Sequence, residues 1–385
     1  MTRVLLVCGD PSGDLYASLL TKAVFERAPD ARVDGIGGPL LRQAIAGRGE
    51  FLEDLASLGV TGFVEPARKI PLFFRLLRRL RERFRSQRPD AVVCVDFYGF
   101  NSRVLAAAKA AKVPAYYFIS PQVWASRPGR IARLKRLVER MLVIFPFEER
   151  IYQDAGVPTT WVGHPLLDLL PEPAHRVRPD GSLRLGLLPG SRPSELRRHM
   201  PVLLDAAARI LARFPKAELT LFAADSLPDQ AYEPWLGHPA RPRLVRDRGY
   251  AERARLDFAL TSSGTATLEN ALLGVPMVVV YKLSWPTYAL ARALIRVSHI
   301  AMVNILAKTE LAPELIQADA TGPKIAKTAL ELLENPERLA AVRHSMLELR
   351  AALGKPGACG RAADVLLREI AGRVPAPEHA HGPAR

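Results

Sequence analysis

Cysteine is scarce in this sequence: three residues in 385, at positions 8, 94 and 359. Three scattered thiols make neither a disulfide framework nor a metal cluster. Cys8 and Cys94 fall inside apolar, strand-like runs, where a buried thiol in a reducing compartment is the expectation. No stretch approaches the roughly 20 apolar residues needed to cross a bilayer. Val4–Cys8, the first apolar run, is too short for a signal-peptide core, so a cytosolic protein is expected. The dinucleotide fingerprint GxGxxG is absent, and so is any DxD or His/Asp spacing suited to a metal. Acidic residues are also short in number: 39 Asp and Glu against 54 Lys and Arg leave a net charge of +15. Nucleic acid, an anionic membrane surface or acidic substrates would suit that charge. A compositional preference for Arg, Ala and Pro accounts for part of it with no partner at all. No RNA-binding signature and no basic strand interleaved with aromatics is present, which argues against a nucleic-acid partner.

What remains is ordinary globular material, 49% hydrophobic and 24% charged. The length suggests two domains of about 150–200 residues each. Arg3–Cys8 reads as a strand, followed by the turn Gly9–Asp14 (GDPSGD) and an amphipathic helix carrying Leu15, Leu19 and Ala23 on one face. Val33–Gly38, Pro89–Asp96, Ala115–Ile119, Met141–Phe145 and Thr159–Val162 read as further strands. Pro89–Asp96 is continuously apolar, as in a parallel sheet covered on both sides, and ends in a carboxylate at the edge where such sheets carry their sites.

Ile70–Arg85 places Phe73, Leu76, Leu77, Leu80 and Phe84 at helical spacing, with six arginines filling the rest. It suits first a layer helix with a basic outer face, and the same helix can also dock on anionic headgroups. Pro171–Gly181 lacks apolar periodicity and reads as a linker. A second α/β series then opens with Leu183–Leu188, a Gly190-Ser191-Arg192 turn and a helix running toward Phe214, followed by strands at Leu219–Phe222 and Asp257–Thr261. Trp285–Val297 and Ile325–Leu353 read as helical. The expected fold is therefore α/β, with two facing Rossmann-like, doubly wound parallel sheets and a cleft between them. The expected divisions are 1–170, 171–345, a C-terminal segment 346–372 packing back on the first domain, and a disordered tail 373–385.

The most informative stretch is Leu260–Lys282. Ser262 and Ser263 end an apolar strand, Gly264 lets the backbone approach a ligand, and a helix from Thr265 stops before Gly274. Free N–H groups at that helix start make an anion site suited to a diphosphate. Glu269, one turn further in, can accept hydrogen bonds from a ribose diol, so the stretch reads as a nucleotide-sugar pocket.

Nine short stretches stand in one order: GDPSGD, GIGGP, VDFYGFN, YYFISPQVWASR, FPFE, VGHPL, LLPGSRPSE, SSGTATLE and VNILA…PELIQ. Together, over roughly Arg3 to Gln317, they resemble the lipid-A-disaccharide synthase family, inverting hexosyltransferases of GT-B architecture. The resemblance implies transfer of 2,3-diacylglucosamine from its UDP derivative to an acyl-sugar phosphate acceptor, with no metal or other cofactor. It also implies a peripheral enzyme on the cytoplasmic membrane face, at most a homodimer. The chain departs from the family pattern at Asp10, where a glutamate is usual, and at Pro11, Gly99, Gln122 and Ser126. A transferase with another lipid or sugar acceptor, or an epimerase of UDP-N-acetylglucosamine, would share the donor half.

On that resemblance Asp96 is the general base, with burial raising its pKa. Asp14, Ser12 and Asp10 assist it or position the acceptor. The donor site takes Gly190, Ser191, Arg192, Ser263, Gly264, Thr265 and Glu269, with Arg192 as the fork on phosphate oxygens. Asn304 and Gln317 resemble positions facing the same cleft. His164, before Pro165, reads as a packed residue rather than a second base.

Overall fold

The computed structural model describes residues 1–58, 70–121, 129–173, 182–283, 288 and 299–373. Gln122 and Ser126, most of the expected linker, the helix read at Trp285–Val297 (Tyr288 apart) and the tail beyond Arg373 lie outside the described residues. The chain divides into two compact units: Met1–Pro165 with Gly357 onward, and Leu166–Pro356.

The first unit holds strands β1 (Arg3–Val7), β2 (Arg32–Gly37), β3 (Phe51–Asp54), β4 (Ala91–Val95), β5 (Ala115–Phe118), β6 (Arg140–Val143) and β7 (Thr159–Trp161). They lie in the order β3-β2-β1-β4-β5-β6-β7, and every pairing is parallel. The second unit holds β8 (Arg184–Leu188), β9 (Glu218–Phe222), β10 (Arg243–Val245), β11 (Phe258–Ser262), β12 (Met277–Tyr281) and β13 (Glu314–Ile316). Their order, β10-β9-β8-β11-β12-β13, is again wholly parallel. In both sheets the strand order thus reverses at an internal parallel pair, β1/β4 and β8/β11. A crevice opens outside the carboxyl ends of such a pair, and ligands bind there.

Apolar side chains explain these elements. All five residues of β4 are buried, as a strand with helices on both faces requires. In the second unit Leu196, Leu203, Leu204 and Ile210 of the helix Pro193–Arg213 pack against Leu185, Leu187 and Leu221 of the sheet. Each such buried Leu or Ile side chain contributes about 1.5–3 kcal/mol. The helical run expected over Ile325–Leu353 is two helices, Gly322–Leu333 and Pro336–Ala352. The break falls where Asn335 caps the second and Pro336 takes its first turn, a position that proline suits because no N–H is needed there. The last helix, Ala358–Ala371, packs in the first unit, where Asp364 accepts from Arg27 at 2.6 Å and Arg361 donates to the Val162 carbonyl at 2.8 Å.

The helix Ile70–Ser86 buries Leu76, Leu77, Leu80 and Phe84. Two of its arginines are committed to the fold: Arg83 pairs with Asp34 at 2.5 Å and Glu50 at 2.7 Å, and Arg79 with Glu50 at 3.1 Å. These contacts hold the Asp34 carboxyl below its usual range despite burial. Ile70, Phe74, Arg78, Arg81 and Arg85 recur along another side, and all five are exposed.

Candidate active site

At the first switch point β1 runs into Gly9 and Asp10, and β4 into Asp96. Asp10 caps the helix Pro11–Arg27: its Oδ1 accepts from the Gly13 N–H at 2.6 Å and from the Ser12 hydroxyl at 3.0 Å. An aspartate reaches its own helix start well from the N-cap, and Pro11 fits the first helical position. Asp14 is buried and turned elsewhere. Its two oxygens accept from the N–H groups of Gly38, Leu40 and Leu41 at 2.8–3.0 Å. It therefore caps the helix Pro39–Ile45 from another segment and acts as a positioning group for the GIGGP turn.

Asp96 is half-buried at the end of β4. Burial is the main force raising its carboxyl, to about 7, and the nearby Asp10 charge adds to it. The backbone here is unusual: Asp96 and Phe97 both have positive φ, 43° and 47°. Left-handed conformations in residues with a Cβ cost roughly 1–2 kcal/mol each and persist only where neighbours enforce them. Asn101 and Tyr117 supply that enforcement. The Asn101 amide donates to the Asp96 carbonyl at 2.7 Å, and the Tyr117 hydroxyl donates to the same oxygen at 2.5 Å. The Phe97 ring closes over Gly9, where a Cβ would lie 2.3 Å from it. Nothing among the described residues lies within 4 Å of a Cβ placed at Gly99.

Buried Glu148, from the helix Pro146–Asp154, accepts from the Ser120 hydroxyl at 2.5 Å just after β5 and contributes to raising Asp96. His164 packs against Phe145 and Tyr16, with ring centroids 5.3 and 6.4 Å away. Burial lowers its pKa to about 3, so it is a neutral core imidazole.

At the second switch point two turns open helices side by side. After β8, Gly190 has φ 115°, a conformation open to glycine alone among common residues. Glu195 fills the turn from the helix behind it, accepting the Ser191 N–H at 3.0 Å and the Arg192 guanidinium at 2.6 Å. Arg192 is half-exposed and keeps further N–H groups with no partner among the described residues. After β11, Gly264 has φ 143°, and no atom of the described residues lies within 4 Å of the space a Cβ would take. It is the N-cap of Thr265–Leu272 and offers no side chain to the first N–H groups, which have no acceptor inside the helix. Ser263 and Thr265 flank it, partly or fully exposed. An uncapped helix start of this kind suits an anion.

Glu269 lies one turn in, held by the Tyr250 hydroxyl at 3.1 Å and by the Arg253 guanidinium. Asn304 and Gln317 turn their amides to neighbouring segments, Asn304 donating to the Glu314 carboxylate at 2.8 Å as well as to backbone. Asn304 exchanges bonds with Ala312 at 2.7 and 2.9 Å. Gln317 takes both polar groups of Leu283, the N–H at 2.7 Å and the carbonyl at 3.3 Å. Both amides are thus satisfied by the segments they join.

Asn101, Tyr117, Glu148 and His199 carry the two switch points and were given no role on sequence grounds. Only an amide in an otherwise apolar helix and a histidine opposite an apolar face could have drawn attention to them.

The comparisons with known proteins agree with this fold. The family model described as lipid-A-disaccharide synthetase matches residues 4–369. A lipid-A-disaccharide synthase from Syntrophus aciditrophicus is 40% identical over 383 residues, 95% of this chain and 97% of that protein. One from Anaeromyxobacter sp. is 39% identical over 373 residues, 95% of this chain and 97% of its own. Among solved structures, a putative UDP-N-acetylglucosamine 2-epimerase from Listeria monocytogenes superposes with a TM-score of 0.63 at 14% identity, covering 99% of this chain and 98% of that one. The calicheamicin glycosyltransferase CalG4 does so with a TM-score of 0.63 at 18% identity, covering 98% and 100%. At those identities the solved structures speak for the GT-B fold alone. The family match and the two close relatives go further: the chain belongs to the lipid-A-disaccharide synthase family, glycosyltransferases of lipid A biosynthesis.

Proposed function

We propose that the protein transfers 2,3-diacylglucosamine from UDP-2,3-diacylglucosamine to 2,3-diacylglucosamine 1-phosphate, with inversion, giving the β-1,6 disaccharide 1-phosphate and UDP. The observation that carries this reading is the β8/β11 switch point, where the helix start after Gly264 has no side-chain cap and the Gly190 turn carries the half-exposed Arg192. A diphosphate seated there gains hydrogen bonds that strengthen as it departs with the electron pair of the broken C1–O bond. Asp96 of the first unit takes the proton of the acceptor hydroxyl as its oxygen bonds to C1. Incubating the enzyme with UDP-diacylglucosamine tests this directly. UDP should appear only when the acyl-sugar phosphate is added; acceptor-independent conversion of the donor sugar would mark an epimerase and overturn the reading.

The same proposal places the enzyme on an anionic membrane face, since both substrates carry acyl chains. No helix among the described residues is long and apolar enough to span a bilayer. The side of Ile70–Ser86 bearing Ile70, 49% exposed, and Phe74, 69% exposed, alongside Arg78, Arg81 and Arg85, suits a lipid interface. Reversing those three arginines to glutamate should weaken binding to phosphatidylglycerol vesicles by roughly a hundredfold or more at low salt, and turnover of short-chain substrates should hold. Vesicle flotation at wild-type level would leave the helix an ordinary layer element.

A further inference from the structure

His199 lies in the helix Pro193–Arg213, fully buried, with its ring between two strand ends. Its Nδ1 is 2.7 Å from the Pro189 carbonyl, and its Nε2 is 3.1 Å from the Lys282 N–H. A carbonyl only accepts and an amide N–H only donates. The ring is therefore the neutral tautomer with the proton on Nδ1. Pro189 begins the turn that carries Gly190, Ser191 and Arg192, and Lys282 follows β12. Between β8 and β12 lies β11, whose end carries Ser263 and Gly264. One imidazole thus ties together the two loops on either side of the Gly264 turn.

We infer that His199 is a positioning residue for the donor diphosphate, its neutral ring holding the Gly190–Arg192 turn in register with the end of β12. The inference rests on the diphosphate reading of that turn. Protonation of Nε2 would set two N–H donors against each other and release Lys282. The charged groups bearing on the ring are Glu195 and Arg198 on its own helix and Lys282 from the end of β12. Burial is the largest of these influences and keeps the ring neutral below the ordinary histidine range. Donor binding should therefore be complete at neutral pH and fall away as the solution is acidified through the imidazole's titration.

The test is calorimetric binding of UDP to the full-length protein, with His199→Leu and His199→Gln. Leucine removes both hydrogen bonds and should weaken UDP about tenfold or more. It should raise the KM for UDP-diacylglucosamine likewise, leaving the KM of the acceptor unchanged. Glutamine can donate and accept, so it should recover part of the affinity. It should also lack the acid limb that the wild type shows beyond the titration of UDP itself. Wild-type UDP affinity in His199→Leu, or an unchanged acid limb in His199→Gln, overturns the inference and leaves the transferase reading intact. Failure of the wild type to bind UDP overturns both.

Discussion

Asp96→Asn should bind UDP as the wild type does and turn over about a hundredfold or more slowly, as loss of a general base requires. Asparagine is the right probe because it tolerates the left-handed backbone that this position adopts, φ 43°. The Asn101 and Tyr117 bonds to the residue 96 carbonyl remain available to it. The wild type carries its own signature. A base raised to about 7 is mostly protonated below that pH, so kcat should climb through neutrality and level off above it. Stability gives the opposite sign. Folding raises this carboxyl above its unfolded value, so the stability that the protonated form provides is lost as the pH rises through the folded pKa. Asparagine removes that loss, and the variant should melt no lower than wild type at pH 8. Wild-type turnover in Asp96→Asn would remove the residue from the mechanism, whereas a lowered melting temperature would mean the change had damaged the fold.

Arg192→Ala should lower kcat/KM by about 10²–10³, the usual result of removing a donor aimed at developing charge. Arg192→Lys should recover only part, since a point charge replaces a planar fork. The diagnostic measurement is the preference for UDP over UMP as an inhibitor. A guanidinium gripping the outer phosphate makes that preference, and Arg192→Ala should lose most of it. A variant that still prefers UDP by the wild-type margin would leave Arg192 as nothing more than the partner of Glu195, 2.6 Å away.

Much of the fold was legible because the strongest local signals, apolar strands followed by turn residues and amphipathic helices, repeat through both halves. The alternation gave two parallel sheets, and the loops after β1, β4, β8 and β11 were recognisable as strand-to-helix turns. The short strands Phe51–Asp54, Arg243–Val245 and Glu314–Ile316 left no such signal. Three or four residues at or near a sheet margin are too few to establish a period. The support of each site was hidden for a different reason. Asp14 reaches Gly38 to Leu41, Tyr117 reaches Asp96, and His199 reaches Lys282. Such pairings depend on which strands become neighbours, and local pattern does not encode that. Asn304 and Gln317 illustrate the converse. An amide in apolar sequence invites a ligand by its chemistry, but in the folded chain the backbone of Ala312 and Leu283 takes it first.

The closure of the Phe97 ring over Gly9 bears on how this enzyme can evolve. A methyl group at position 9 and a ring at position 97 claim the same volume, so any larger residue at position 9 requires the ring at position 97 to give way. The glycine after β1 thereby constrains the residue that follows Asp96. Gly99 carries no such constraint: nothing among the described residues lies within 4 Å of a Cβ placed there.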